Sequence, residues 1–226
     1  MWLAELAWPD IAERVAAGAF LAVPLGSTEQ HGPHLPLSTD TDIATALCER
    51  LAIVRPDVLI APPVPYGSSG EHAGFAGTLS IGPEATELLV LELGRSATTT
   101  FRRVLFVSAH GGNAGPVGRA VARLRARTRD VSLFQPRWDG DPHAGHEETA
   151  LQLALHPGTV HMERAARGNT APLAALMPQL VSGGLRSATA IGVLGDPTAA
   201  TPSAGTVLLD ELCTALVAHV DAWYPR

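Results

Sequence analysis

Between residues 26 and 40 the chain reads Gly-Ser-Thr-Glu-Gln-His-Gly-Pro-His-Leu-Pro-Leu-Ser-Thr-Asp, so that Glu29, His31, His34 and Asp40 place two carboxylates and two imidazoles within twelve residues. Glu29 and His31 are two apart and point the same way in an extended segment. Pro33 and Pro36 stiffen the stretch that brings Asp40 back. Such a loop presents Glu29, His31 and Asp40 to a common point. A second imidazole source is Ser108-Ala109-His110-Gly111-Gly112-Asn113, whose glycines let backbone approach a ligand closely. A third cluster, Asp141-Pro142-His143-Ala144-Gly145-His146-Glu147-Glu148-Thr149, opens a helical pattern with an acid-rich first turn. One acid there is ordinary complementation of the helix dipole. His143 arriving just before Glu148 is more than that.

Carboxylates and imidazoles without a thiolate form a mixed oxygen and nitrogen shell, which suits zinc, iron or manganese better than calcium or copper(I). One bridging carboxylate with two ligands on either side holds two divalent ions about 3.5–4 Å apart. The expected metal ligands are Glu29, His31, Asp40, His110 and Glu148. Asp40 is the expected bridge, with Glu29 and His110 completing one ion and His31 and Glu148 the other, and a water acidified toward neutral pH as the nucleophile. The expected catalytic residues are His143, left free to move protons, and Glu148. His-Gly-Gly-Asn or Glu-x-His taken singly is a weak signal, more often structural than functional. Three such clusters after three expected strands, in a chain with nine His, point to a site. His156, His161 and His219 lack such company and are expected to be satisfied or solvated.

The elements that must position these residues alternate. Short aliphatic runs at Phe20–Leu25, 58–64, 104–108 and 131–134 read as strands, and patterns at 42–54, 83–99, 114–127, 147–155 and 206–223 read as helices. This is the signature of a mostly parallel sheet covered by helices, in a single domain. The Gly/Pro-rich stretches 26–39, 65–82, 135–145 and 192–205 hold most of the unusual polar residues, and loops after parallel strands gather at one sheet edge.

With 226 residues the chain suits one contiguous core. Pro, Gly or charge interrupts every apolar run before the ~18 residues that would span a bilayer, and the first ten residues lack a basic leader, so a cytoplasmic protein without membrane contact is expected. Cys48 and Cys213, far apart in apolar patterns, are expected to be buried and inert. The net charge of −6 argues against a nucleic-acid partner. All sixteen basic residues are Arg, which excludes chemistry that needs a lysine, such as P-loop phosphate binding or a Schiff base. Arg119, Arg123, Arg125, Arg127 and Arg129 read as the solvated end of a helix.

The residues quoted from Gly26 to Pro36 and on to Asp40, with Gly67 to Glu71-His72, Phe75-Ala76-Gly77-Thr78-Leu79-Ser80, His110-Gly111-Gly112-Asn113, His143-Ala144-Gly145 and Glu148-Thr149, resemble the creatininase family. The resemblance implies a three-layer α/β/α domain, a dinuclear metal site, hydrolysis of cyclic or linear amides and assembly into hexamers or similar closed oligomers. By position, Glu29, His31, Asp40 and His110 match the family's metal ligands, Glu148 matches the acid of its His-Ala-Gly-x-x-Glu-Thr-Ser motif, and His143 matches its catalytic histidine. The final Ser of that motif is Ala150 here. Creatinine-hydrolysing members carry a carboxylate two residues after the equivalent of His110, where this chain has Gly112, so creatinine is not the expected substrate.

The C-terminal third resembles a narrower branch of the family, that of the mycofactocin system, through Gly168-Asn169-Thr170-Ala171-Pro172-Leu173, Leu176-Met177-Pro178, Ser182-Gly183-Gly184 and Leu194-Gly195-Asp196-Pro197-Thr198. That branch implies a peptidase whose substrate is a modified precursor peptide, releasing its cross-linked Val-Tyr C-terminal piece. A family member that opens a small cyclic amide or formamide is the alternative within enzymes, and a metal-binding scaffold without turnover is the alternative outside them; a scaffold has no need of His143. A serine hydrolase using Ser68 or Ser69 lacks the Gly-x-Ser-x-Gly elbow. Tyr66, Glu71, His72, Trp138 and Asn169 are candidates for touching substrate.

Overall fold

A computed structural model describes residues 1–225. Four strands, β1 (Phe20–Leu25), β2 (Val58–Ile60), β3 (Arg103–Ser108) and β4 (Asp130–Phe134), form one sheet in the order β2-β1-β3-β4, with every neighbouring pair parallel. Among the described residues eight α-helices surround it: α1 (Trp8–Ala16), α2 (Thr39–Val54), α3 (Gly82–Ala97), α4 (Ala114–Arg125), α5 (His146–Leu155), α6 (Leu173–Gly183), α7 (Leu185–Ala188) and α8 (Pro202–Trp223).

Alternating side chains of each strand point to opposite faces. Phe20, Ala22, Leu105 and Val107 pack on one side with Leu47 and Leu51 of α2, Leu151 of α5 and Leu209, Leu212 and Leu216 of α8. Leu21, Val23, Val104 and Phe106 pack on the other with Val90 of α3 and Val117, Val121 and Leu124 of α4, and with Ile11 and Val15 of α1. Strands covered on both faces read as continuous apolar runs, which is why they were conspicuous in the sequence. The architecture is the three-layer α/β/α arrangement. By length and composition α8 would suffice to cross a bilayer, yet its Leu209, Leu212, Leu216 and Val220 are buried in the core.

The second strand stops at Ile60 rather than residue 64, because Pro62 and Pro63 offer no N–H to a ladder; only single bonds from Ala61 and Val64 to β1 carry on. The helix expected from residue 42 starts at Thr39, which puts Asp40 in its first turn. The last helix starts at Pro202, where the Thr201 hydroxyl accepts the Ala204 N–H at 3.2 Å. Cys48 is buried as expected, but Cys213 is half-buried, since it lies beside rather than on the buried stripe of α8. Arg119 and Arg123 both pair with Glu87 on an exposed face.

Helix α8 meets α5 where Gly205 faces the backbone of Ala150: a Cβ there would lie 1.8 Å from the Ala150 carbonyl oxygen. Gly205→Ala should therefore force the two helices apart and cost about 1–3 kcal/mol in urea unfolding. Gly158→Ala, at a position with open space around it, should stay within about 0.5 kcal/mol.

Candidate metal centre

The chain leaves β1 toward β2 on one side and leaves β3 toward β4 on the other, so a crevice opens above the carboxyl ends of these two central strands. Every quoted cluster ends there. Glu29 and His31 come from the loop after β1, Asp40 from the first turn of α2, His110 from the residues after β3, and His143 and Glu148 from the loop after β4 and the first turn of α5. Glu29, His31, Asp40, His110 and Glu148 are each at most 6% exposed.

Hydrogen bonds decide which ring nitrogen faces inward. His31 Nδ1–H donates to the Glu29 carbonyl at 3.2 Å, leaving Nε2 3.2 Å from Asp40 Oδ1 and 3.8 Å from Glu148 Oε2. His110 Nε2–H donates to the Ser68 carbonyl at 2.8 Å, leaving Nδ1 3.1 Å from Asp40 Oδ2. Asp40 thus offers one oxygen to each side. Two groups of potential ligands result, Glu29 with Asp40 and His110, and His31 with Asp40 and Glu148, each with its ligand atoms within 4.8 Å of one another. A third, Glu29 with His31 and His143, meets the same criterion. Glu29 Oε2 and His31 Nε2 are buried without a hydrogen-bond partner. An unpartnered buried polar atom costs about 1–3 kcal/mol, and a cation on each side of Asp40 would partner both.

The field says the same. Burial alone would strip the proton from His31, but the carboxylates of Asp40, Glu148 and Glu29 override it and push the imidazole up to about 10. Burial and the neighbouring charges of Asp40 and Glu29 raise Glu148 to about 7, against the opposing pull of His31. Asp40 is held well below the usual carboxylate range, burial being outweighed by His31 and His110. The pocket demands positive charge.

His143 lies between His31 and His72, its ring tilted 45° and 60° to theirs, with centroids 4.4 and 4.6 Å away. Burial and the charges of His31 and His72 keep it neutral, well below the usual imidazole range. Its Nδ1 lies 3.9 Å from Glu148 Oε2, an oxygen that also accepts the Ala144 N–H at 2.6 Å. Ala144 has φ +52°, a left-handed conformation that costs a residue with a Cβ about 1–2 kcal/mol. The antiparallel bridge between His143 and Leu194 holds it there.

His34, the second imidazole of the first cluster, turns away to Thr149 Oγ1 at 2.9 Å and takes no part. His72, a substrate candidate from sequence, is buried and contacts Glu29 Oε1 at 3.2 Å. Ser27, which sequence reasoning passed over, donates its hydroxyl to Asp40 Oδ2 at 2.7 Å. Asn169 is occupied by Ala188 and Ala171, and Tyr66 is half-exposed. Trp138 lines a cavity of about 710 Å³ that reaches His110 and Glu148, with Pro142, Pro172 and Leu173 among its other walls. At Gly112 a Cβ would sit 2.1 Å from the Ser68 carbonyl oxygen and 2.5 Å from both Glu71 Oε1 and His110 Nε2.

Residues 4–220 match the Creatininase family, described as creatinine amidohydrolase. The chain is 48% identical to the mycofactocin precursor peptide peptidase of Mycobacterium tuberculosis (strain CDC 1551 / Oshkosh), over 91% of this chain and 86% of the relative. It superposes on the crystal structure of creatinine amidohydrolase (creatininase) with a TM-score of 0.87 at 25% identity, covering 100% of this chain and 98% of that one. A mutant creatininase described as Zn-Zn type gives a TM-score of 0.88 at 24% identity over 100% and 98% of the two chains, a likeness of fold.

In metal-free protein, His31 near 10 against an ordinary 6.5 stabilises the fold fully below 6.5, and that contribution disappears as pH rises through about 10. Glu148 near 7 against 4.5 favours the fold in its neutral form, an advantage lost over that interval. Both act in one direction, and the imidazoles held low, His34, His72 and His143, oppose them only below 6.5, so the melting temperature of chelator-treated protein should fall from pH 6.5 to 10 relative to that of zinc-loaded protein. Parallel curves for the two forms would show that no cation enters this field.

Proposed function

The chain belongs to the creatininase family, and from that premise we propose that it is a metal-dependent peptidase that releases the modified C-terminal Val-Tyr piece of the mycofactocin precursor peptide. The relative that is 48% identical over 91% of the chain carries the choice of substrate. The cavity supports it: about 710 Å³ walled by Trp138, Pro142, Pro172 and Leu173, and reaching His110 and Glu148, is within the range that encloses sizeable ligands.

Glu29, Asp40 and His110 would hold one divalent ion and His31, Asp40 and Glu148 a second, each zinc, iron or manganese. Bound there, the ions polarise an amide carbonyl and bring the acidity of water toward neutral pH. His143, neutral and buried, takes up a proton and delivers it to the leaving amine. Glu148, with one oxygen pinned by the Ala144 N–H, keeps its carboxylate facing His31 and His143. We place the protein in the cytoplasm as a homo-oligomer, a hexamer or similar closed ring; the exposed Leu173, Met177 and Val181 of α6 are apolar surface that assembly would cover.

Mass spectrometry of metal-loaded protein incubated with the modified precursor peptide, with creatinine and with a chelator-treated control should show chelator-sensitive release of the C-terminal dipeptide. Hydrolysis of a small amide with no peptide release would retain the metal site and discard the peptidase assignment. Metal analysis of Asp40→Ala should find both ions gone and activity abolished. His143→Ala should keep its metal and lose about 10²–10⁴ in rate; full metal content in the Asp40 variant would remove the bridging role.

A further inference from the structure

The side chain of Gln30 lies between the two histidines that stand behind the metal ligands. Its Oε1 accepts the Gly32 N–H at 2.9 Å, and its Nε2 is 3.1 Å from the Gly192 carbonyl oxygen, 3.1 Å from His72 Nδ1 and 3.0 Å from His143 Nε2. The backbone partners settle which end of the amide is which, since a backbone N–H only donates and a carbonyl only accepts. Gly192 leaves room for this contact: a Cβ there would fall 1.8 Å from Gln30 Oε1.

Proton counting then fixes both rings. The Glu29 carboxylate only accepts, so His72 carries its proton on Nε2, 3.2 Å from Glu29 Oε1, and its bare Nδ1 accepts one of the two Gln30 amide protons. The other amide proton goes to Gly192. No proton remains for His143, whose Nε2–H donates instead to the Gln30 backbone carbonyl at 3.0 Å. His143 Nδ1 is therefore bare and faces Glu148.

We propose that Gln30 is the positioning residue that fixes the ring protons behind the metal centre, holding His72 as the Nε2–H form that orients Glu29, while its own backbone leaves His143 Nδ1 as the nitrogen that exchanges protons with substrate. A proton on His72 Nδ1 would confront an amide N–H. The device orients ligands from outside the metal shell, where losing such a partner weakens metal binding or activity by about 10–100-fold. The exchange through His143 rests on the amidohydrolase reading; the ring protons themselves do not.

Long-range ¹H–¹⁵N correlation spectra of histidine-labelled protein, chelated and zinc-loaded, test the assignment without substrate. The wild type should show His72 and His143 both protonated on Nε2 and bare on Nδ1; a proton on Nδ1 of either ring overturns the proposal, whatever the substrate proves to be. Gln30→Glu, nearly isosteric but unable to donate, should move the His72 proton to Nδ1, weaken zinc affinity by about 10–100-fold in chelator competition and lower kcat at saturating zinc with little change in KM. Unchanged His72 shifts and zinc affinity in a folded Gln30→Glu would leave Gln30 a space-filler. Should that variant fail to fold, the wild-type spectra alone decide.

Discussion

Three carboxylates, Glu29, Asp40 and Glu148, are buried with Asp40 within reach of both others, and their charge sets the terms for everything around them. Desolvating an ion costs several kcal/mol even after the protein relaxes. Among the described residues no arginine reaches these acids; their ion-pair partners are His31, His72, His110 and His143. The arginines are spent elsewhere, Arg55 on Asp57 and Asp221, Arg119 and Arg123 on Glu87. A fixed guanidinium would have balanced the charge permanently. Imidazoles leave the balance open to a metal.

The imidazoles can serve only if a cation can displace the proton on the inward nitrogen, and the fold aims that nitrogen with backbone bonds to the outward one. His31 donates outward to the Glu29 carbonyl, His110 to the Ser68 carbonyl and His143 to the Gln30 carbonyl. A main-chain oxygen cannot titrate or change role, so each ring orientation is as firm as the loop that supplies it. The loops in turn are anchored by the sheet: Leu25 and Ser108 are paired at the ends of β1 and β3, where the loops bearing Glu29 and His110 begin. Core packing and acid–base chemistry are thus linked through a few hydrogen bonds.

The sheet and the clustered site were legible because both are local signals. Strands buried on two faces are unbroken apolar runs, and Glu29, His31, Asp40, His110, His143 and Glu148 sit in short Gly/Pro-framed motifs at strand ends. What escaped notice depends on distant partners. His72 meets Glu29, and Gln30 meets His72, His143 and Gly192, across 42 to 162 residues of chain. Helices α6 and α7 also went unread, since Leu173–Gly183 has no charged face, no side-chain cap and a proline inside. Helix α1 opens at Ala7 rather than at a Ser, Thr, Asn or Asp, the Asp10 carboxylate accepting the Ala7 N–H instead.

The crowding at Gly112 bears on how the family diversifies. Any side chain there collides with a carbonyl oxygen, with the Glu71 carboxylate and with the His110 ring at once. An acid at this point would have to be accompanied by withdrawal of Glu71 and a shift of the turn bearing Ser68. The changes are epistatic: any one of them alone leaves either a clash or a hole beside His110. In this chain, then, a single codon cannot turn Gly112 into an acid without disturbing the His110 ring beside it.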